Sequence, residues 1–290
     1  AGAQFKYGLI WALIVSILLT LFIQLTAVRI GLTTKNTLSN LIKDQFQSGL
    51  LKYTSISLII SAIFIGNSAY EAGNISGAVM GFELLFGKSF QFNQINIFSI
   101  LSGILALPLI IFGNNKVLEK ILIILVLIMS FSFVFTVFIV GIDFNLLLSS
   151  SNLFSFSSES ILTIAGLIGT TVVPYNIFLH VALVNNRWKS TKELRFANFD
   201  TIVSISIGGL ISLCILLTAA GLNNSDILNA VDLAYSLQPL YGDFSKYIVA
   251  IGLISAGLTS SITAPIAAAY VVCGCFGFSI NRKSKLFKII

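Results

Sequence analysis

Long apolar runs recur along this chain of 290 residues, and each is close to the length needed to cross a membrane. About 20 consecutive apolar residues span the hydrocarbon core of a bilayer. Charged residues make up 10% of the chain, against about 25% in an ordinary soluble domain. The sequence therefore predicts an all-α polytopic membrane protein embedded in the lipid bilayer. The seven predicted spans cover approximately 8–32, 53–82, 95–113, 117–141, 160–184, 200–222 and 246–277.

Lysine and arginine residues fall unevenly on the two sides of these predicted spans. If the spans alternate in direction, three of the 17 lie on one side, and the other fourteen lie opposite. The three are Lys6, Lys88 and Lys246. Because cytoplasmic loops carry the excess of positive residues, we expect the fourteen-residue side and the C-terminus to be cytoplasmic. The net charge of +6 then reflects membrane topology, and no nucleic-acid partner is predicted.

This topology has a consequence for the start of the chain. It places Ala1 outside the cell, ahead of a helix that runs inwards. No cleavable signal peptide precedes that helix, and the first residue is not methionine. We therefore expect at least one further span before Ala1, which would make the sequence a fragment of a longer protein.

The fifth predicted span contains a motif that interrupts a membrane helix. Pro174, Tyr175 and Asn176 lie halfway along Ile164–Trp188. Proline lacks an N–H and clashes with the preceding turn, and backbone groups freed in this way need partners inside the protein. A helix unwound at the midplane exposes carbonyl oxygens, which suit cations such as Na⁺, Mg²⁺ or Mn²⁺. A kink that only shapes helix packing is the alternative.

Glu71 and His180 are ionisable residues inside predicted spans, where a charge is costly. Glu71 shares one helix face with Asn67 and Asn74, and His180 follows Asn176 by one helical turn. Both are candidates for an ion or proton route, because intramembrane ionisable residues are commonly functional. For each, a buried hydrogen-bonded link between helices is the alternative.

Three stretches resemble the Nramp family of divalent-metal transporters. AGAQFKYGLIWAL, residues 1–13, resembles the opening of that family's second transmembrane helix. GLIGTTVVPYNIFLHVALV, residues 166–184, resembles the sixth helix, and AGLTSSITAP, residues 256–265, resembles the eighth. The resemblance extends over the whole chain, from helix two to helix eight.

The resemblance implies a LeuT-like inverted-repeat transporter fold that is incomplete in this chain, with the first and last helices missing. Residues 1–290 would form a single membrane transport domain. Within it, 1–141 would be the rest of the first repeat and 142–290 the start of the second. A weak likeness between the centres of the second and last spans is consistent with such a repeat.

In the family, the metal binds between the broken helices one and six. Helix one supplies an Asp and an Asn, and helix six supplies a backbone carbonyl and a methionine sulfur. The resemblance assigns the carbonyl to Thr170 and the methionine position to Val173. We expect Thr170 and Asn176 to serve the ion, with Val173 marking the lost sulfur.

The departures from the family pattern indicate which ion is carried. The first helix-six histidine corresponds to Tyr175 and the second to His180, while Glu71 matches the third-helix glutamate, and all three are candidates for an ion or proton route. The family's preceding Asp, on the usual proton route, aligns with Ser68. These losses resemble the Nramp-related magnesium transporter branch, whose members carry Mg²⁺ and Mn²⁺ and are thought not to couple transport to protons. A thioether favours softer metals, so Val173 predicts a hard divalent cation as substrate, with no cofactor.

Two other interpretations stay open, and a third, a membrane enzyme, is not predicted. An amino-acid carrier of the same LeuT-like fold would have an uncharged first-helix break, and a truncated fragment would transport nothing by itself. A membrane enzyme would need clustered acids, bases or nucleophiles, and the sequence does not contain such a pattern. We expect a multi-pass protein of the cell membrane; the sequence predicts no particular oligomeric state.

Overall fold

The computed structural model describes residues 1–45, 49–87, 91–92, 95–112, 116–143, 145, 147, 157–221 and 230–278. The helices in these ranges are α1 Gly2–Phe5, α2 Ile10–Thr34, α3 Leu38–Gln45, α4 Leu50–Phe86, α5 Ile97–Phe112, α6 Lys116–Val140, α7 Ser158–Thr171, α8 Pro174–Arg187, α9 Leu194–Gly221, α10 Ala230–Tyr235, α11 Gln238–Tyr241 and α12 Ser245–Phe276. Short 3₁₀ turns, Thr191–Glu193 and Gly242–Phe244, precede α9 and α12.

Six helical stretches of the described residues are long and apolar enough to cross a membrane. They are Ile10–Thr34, Leu50–Phe86, Lys120–Val140, Ser158–Arg187, Thr191–Gly221 and Gln238–Phe276. The third predicted span coincides with α5, which has 16 residues and contains Pro108. The all-α polytopic prediction is confirmed, and one of the seven predicted spans is shorter than a typical crossing.

One feature of the fold is β structure, which the sequence did not predict. Strands β1, Gln91–Phe92, and β2, Ile95–Asn96, pair in antiparallel fashion ahead of α5. The Asn96 amide donates a hydrogen bond of 2.6 Å to the Glu83 carboxyl at the end of α4. Strands of two residues are too short to show the alternation by which a strand is predicted.

The described residues divide into two compact units, and the first comprises Ala1–Leu18, Asn74–Val172 and Ser206–Thr259. Its largest buried cluster contains Met129, Phe133, Ala234, Leu237 and Val249. Glycines let α4 and α12 approach closely within this unit. A Cβ at Gly81 would lie 2.6 Å from the Ala250 carbonyl oxygen, which is closer than real Cβ contacts.

The second unit comprises Leu19–Gly73, Val173–Ile205 and Ser260–Ile290, described as far as residue 278. Its core joins α4, α8 and α12 through the buried side chains Ile63, Val173, Tyr175, Leu179, Ala182, Ala264, Ala267, Ala269, Tyr270, Val271, Cys273 and Cys275. A smaller cluster of α2, α8 and α9 contains Val28, Leu32, Val184 and Ala197. Both units are assembled from separate chain segments, and the repeats 1–141 and 142–290 stay a prediction.

The second unit also contains a well-formed helix end. Gly277 has a φ of +75°, and its N–H donates to the Gly274 carbonyl at 3.3 Å. The Phe278 N–H donates to the Cys273 carbonyl at 2.8 Å. These two bonds are the Schellman arrangement, which ends α12 on a glycine because the left-handed conformation disfavours a Cβ.

Candidate functional site

The helix predicted over 160–184 is broken, as Pro174 led us to expect. α7 ends at Thr171 and α8 begins at Pro174. Between them, Val172 (φ −93°, ψ 82°) and Val173 (φ −97°, ψ 122°) are not helical. Because Pro174 has no N–H, it cannot donate the bond that a continuous helix would give to the Thr170 carbonyl. The break therefore leaves that backbone oxygen without its helical donor.

Backbone hydrogen bonds close the helices on each side of the break. The Val172 N–H donates to the Ile168 carbonyl at 2.8 Å, which completes the last turn of α7. On the other side, the Asn176 N–H donates to the Val173 carbonyl at 3.2 Å. Val173 is the N-cap of α8, and its hydrocarbon side chain makes no capping bond. The first turn of α8 thus lacks the side-chain cap that usually steadies a helix start.

Packing takes the place of a cap at the start of α8. Val173 and Tyr175 are only 5% and 8% exposed, and both belong to the core of the second unit. The Tyr175 ring meets Tyr70 of α4 edge to face, with centroids 5.4 Å apart and an interplanar angle of 81°. Asn176 is half-buried beside them. Tyr70 was not predicted as a site residue, because a long-range ring contact leaves no local signal in the sequence.

Thr170 belongs to the first unit, where it is exposed at the end of α7. Its hydroxyl donates to the Gly166 carbonyl at 2.7 Å. A hydroxyl that donates one bond keeps lone pairs on its oxygen. Both the hydroxyl and the carbonyl of Thr170 are hard oxygen donors of the kind that Mg²⁺ and Mn²⁺ prefer.

Glu71 lies on a cavity of about 210 Å³ between α4 and α12 in the second unit. The cavity is lined by Ile63, Phe64, Asn67, Ser68, Glu71, Ala264, Pro265 and Ala268. Asn67 is buried, and its amide donates a bond of 2.8 Å to the Ala264 carbonyl of α12. Asn67 and Glu71 therefore share one helix face, as their spacing predicts, and this face looks onto α12.

His180 is linked to α9. Its Nε2 lies 3.2 Å from the Thr201 hydroxyl, which itself donates to the Ala197 carbonyl at 2.9 Å. When the Thr201 hydroxyl donates to Ala197, its oxygen accepts from His180, and Nε2 then carries the hydrogen. This bond links α8 to α9, as one of the two interpretations of His180 expects. The proton-route interpretation of His180 stays a prediction.

The chemistry of the candidate residues is that of oxygen ligands. Among the residues that the structure describes, no group of three or more His, Cys, Asp or Glu side chains could hold a metal ion. The predicted residues Glu71, Val173, Tyr175, Asn176 and His180 all belong to the second unit. The side chain of Val173 offers no ligand atom, whereas that of Asn176 carries an amide oxygen.

Comparisons with known proteins find a matching family and several relatives. The family model described as natural resistance-associated macrophage protein-like, Nramp, matches residues 1–290. Two curated relatives are named divalent metal cation transporter MntH, from Yersinia pestis (strain Pestoides F) and Yersinia pseudotuberculosis serotype O:1b (strain IP 31758). Each is 26% identical to the chain over 300 residues, covering 97% of the chain and 68% of the relative.

Solved structures give the same fold. Two crystal structures of mutants of the Eremococcus coleocola manganese transporter match with TM-scores of 0.75 and 0.76 at 18% identity. Each match covers 99% of this chain and 63% of the other, so the chain spans slightly less than two thirds of those transporters. The predicted LeuT-like fold of a multi-pass membrane protein is confirmed. With a family model matched along its full length and this fold, the chain belongs to the Nramp family.

Proposed function

We propose that the complete protein is a secondary transporter that moves divalent metal cations, Mg²⁺ and/or Mn²⁺, across the cell membrane into the cytoplasm. The observation that carries the proposal is the break at Val172–Val173, which leaves the Thr170 carbonyl without the N–H donor that a continuous membrane helix would supply. The relatives named divalent metal cation transporter and manganese transporter support a metal as the substrate. Since those relatives are named as transporters, we do not propose an enzymatic function.

The ligands that we assign to this chain flank the break along the sequence. Thr170 contributes its backbone carbonyl and hydroxyl oxygens, and Asn176 contributes its side-chain amide oxygen. All of these are hard, neutral donors, so they neither supply charge nor favour a thiophilic metal. The charge would come from the aspartate that the family's first helix supplies, as the resemblance to the family implies. Mg²⁺ dehydrates reluctantly, and neutral donors of this kind suit an ion that keeps several waters.

We further propose that transport is not coupled to protons. Ser68 and Tyr175 stand where the resemblance would place an aspartate and a histidine on the usual proton route. Neither residue changes charge near neutral pH, because a serine hydroxyl does not ionise and an ordinary tyrosine titrates near pH 10. Glu71 and His180 are the ionisable residues left on that route, and both have interhelical interpretations. The lysine- and arginine-rich loops are assigned to the cytoplasm by the charge asymmetry.

Selectivity gives the experiment that tests the proposal. Uptake of Mg²⁺, Mn²⁺ and Cd²⁺ into proteoliposomes is measured for the complete transporter and for Val173→Met. The wild type should take up Mg²⁺ and Mn²⁺ saturably, and the restored thioether should raise Cd²⁺ uptake relative to Mn²⁺. Leu183→Met is the matched control, because it adds a thioether to α8 at a side chain that is 41% exposed. If the wild type takes up neither Mg²⁺ nor Mn²⁺ in a saturable manner, the proposed function is excluded.

A further inference from the structure

Tyr70 and Tyr175 form an aromatic pair close to the break in the membrane helix. Tyr175 is the second residue of α8, and Tyr70 packs against the same buried cluster from α4. Their centroid distance of 5.4 Å and angle of 81° correspond to the preferred edge-to-face arrangement of aromatic rings. Burial of apolar surface is not directional, but an edge-to-face pair favours one orientation of the two rings. The pair can therefore hold the backbone segments that carry the rings in one position.

The start of α8 needs such a support. The N-cap Val173 makes no side-chain capping bond, and Pro174 has no N–H with which to continue the hydrogen bonds of a preceding turn. The backbone bond from Asn176 to the Val173 carbonyl lies within the turn itself and does not connect it to another helix. The position of this turn is therefore set by the packing of its side chains, of which Tyr175 is the largest.

The Tyr70 end of the pair lies on an anchored part of α4. Asn67, nearly one helical turn before Tyr70, donates a buried hydrogen bond of 2.8 Å to the Ala264 carbonyl of α12. A hydrogen bond between helices at a buried position holds their register. Tyr70 thus belongs to a segment of α4 that is held against α12 by the Asn67 hydrogen bond. Its edge-to-face contact with Tyr175 connects this segment to α8.

We infer that Tyr70 is a positioning residue for the metal site: through the ring of Tyr175 it fixes the first turn of α8 and the adjacent Asn176. The inference rests on the proposed function, because it takes Asn176 as a ligand. Tyr70 acts on the ion only through Tyr175. Its loss should therefore weaken the apparent affinity for the ion and leave the maximal rate of transport nearly unchanged.

The first test compares three single variants by Mn²⁺ uptake into proteoliposomes. Tyr70→Leu removes the ring, Tyr70→Phe keeps it, and Tyr53→Leu removes a ring from the same helix at a position that is 73% exposed. The loss of one edge-to-face pair of rings changes an equilibrium constant by about three- to tenfold. We expect Tyr70→Leu to raise KM by about that factor. The other two variants should stay near the wild-type KM, and all three should keep the wild-type maximal rate.

Combining Tyr70→Leu with Tyr175→Leu should add little to the larger single effect, because the two changes remove the same contact.

A second readout separates this inference from the proposed function. Asn176→Cys is made in a background in which Cys214, Cys273 and Cys275 are replaced by alanine, and its labelling by a membrane-impermeant thiol reagent is timed. A labelling rate that changes at least about threefold with Tyr70→Leu, and not with Tyr53→Leu, supports the positioning role even if no metal is transported. Equal labelling rates in the two variants overturn it. If the wild type takes up Mn²⁺ but Tyr70→Leu and Tyr53→Leu share one KM, the inference fails and the proposed function stands.

Discussion

Replacing Asn67 by leucine should lower the free energy of unfolding by about 0.6 kcal/mol, and by at most about 1.7 kcal/mol, the range found for hydrogen bonds between membrane helices. The Asn67 side chain is 8% exposed, and its amide donates to the Ala264 carbonyl at 2.8 Å. Leucine has the same four side-chain heavy atoms branched at Cγ, with bulkier methyl groups, so the substitution removes the bond without opening a cavity. The i to i−4 pattern of α12 also directs the Ala268 N–H at that carbonyl, so the acceptor is not orphaned and the loss stays small.

Asn67→Asp makes the prediction sharper, because it keeps the shape and changes the chemistry. An ionised aspartate oxygen at the position of the amide nitrogen would face the Ala264 carbonyl as a second acceptor, at the same 2.8 Å, and protonating the carboxyl to restore a donor costs free energy at neutral pH. The buried acceptors then repel each other, and we expect a loss of about 1–3 kcal/mol, the range for an unsatisfied buried polar group. The order wild type, Asn67→Leu, Asn67→Asp is therefore the expected order of decreasing stability.

The assay is equilibrium unfolding in mixed detergent micelles, followed by tryptophan fluorescence. Ser68→Ala is the matched control, since Ser68 is exposed on the same helix and its hydroxyl bonds only to the Phe64 carbonyl of its own helix among the bonds described. The reasoning is refuted if Ser68→Ala destabilises as much as Asn67→Leu, or if Asn67→Asp is no less stable than Asn67→Leu. In either case the Asn67–Ala264 bond would not hold α4 against α12.

Two further changes test other contacts of the second unit. Gly277→Ala should cost about 1 kcal/mol of stability in the same unfolding assay, because φ is +75° at the C-terminus of α12; Gly166→Ala, within α7, is the control and should not destabilise. Thr201→Val should cost about 0.6 kcal/mol by removing the acceptor of the His180 bond, whereas Thr201→Ser should retain it. Equal stabilities of the valine and serine variants would show that the bond contributes nothing.

The helices and the break could be predicted from the sequence because their causes are local. An apolar run sets a span, and α4, at Leu50–Phe86, extends the predicted 53–82 by about one turn at each end. Pro174 removes a helical hydrogen bond, which marks this position as a candidate for a break or a kink. Proline alone does not decide between the two, since Pro108 and Pro265 lie inside the continuous helices α5 and α12.

The contacts that support the site could not be predicted, because each joins residues that are far apart in the sequence. Asn67 finds its acceptor 197 residues further along the chain. Tyr70 finds Tyr175 on another helix, and a single tyrosine in an apolar span indicates no partner. The burial of Val173 is similar, since an apolar residue at a helix break fits a lipid-facing position as well as a buried one.

The burial of Val173 decides how the Val173→Met experiment is to be interpreted. The valine side chain is 5% exposed and packs in the core with Ile63 and Leu179. Methionine is longer but flexible, so it can place its sulfur at the break or fold it into the core, where excess volume costs about 1–3 kcal/mol. Unfolding of the same sample distinguishes these cases. Unchanged Cd²⁺ uptake with lowered stability would show that position 173 faces the core and is not a ligand position. Unchanged Cd²⁺ uptake with unchanged stability would show that a thioether at the break does not set the selectivity, and the hard-ligand explanation would be wrong.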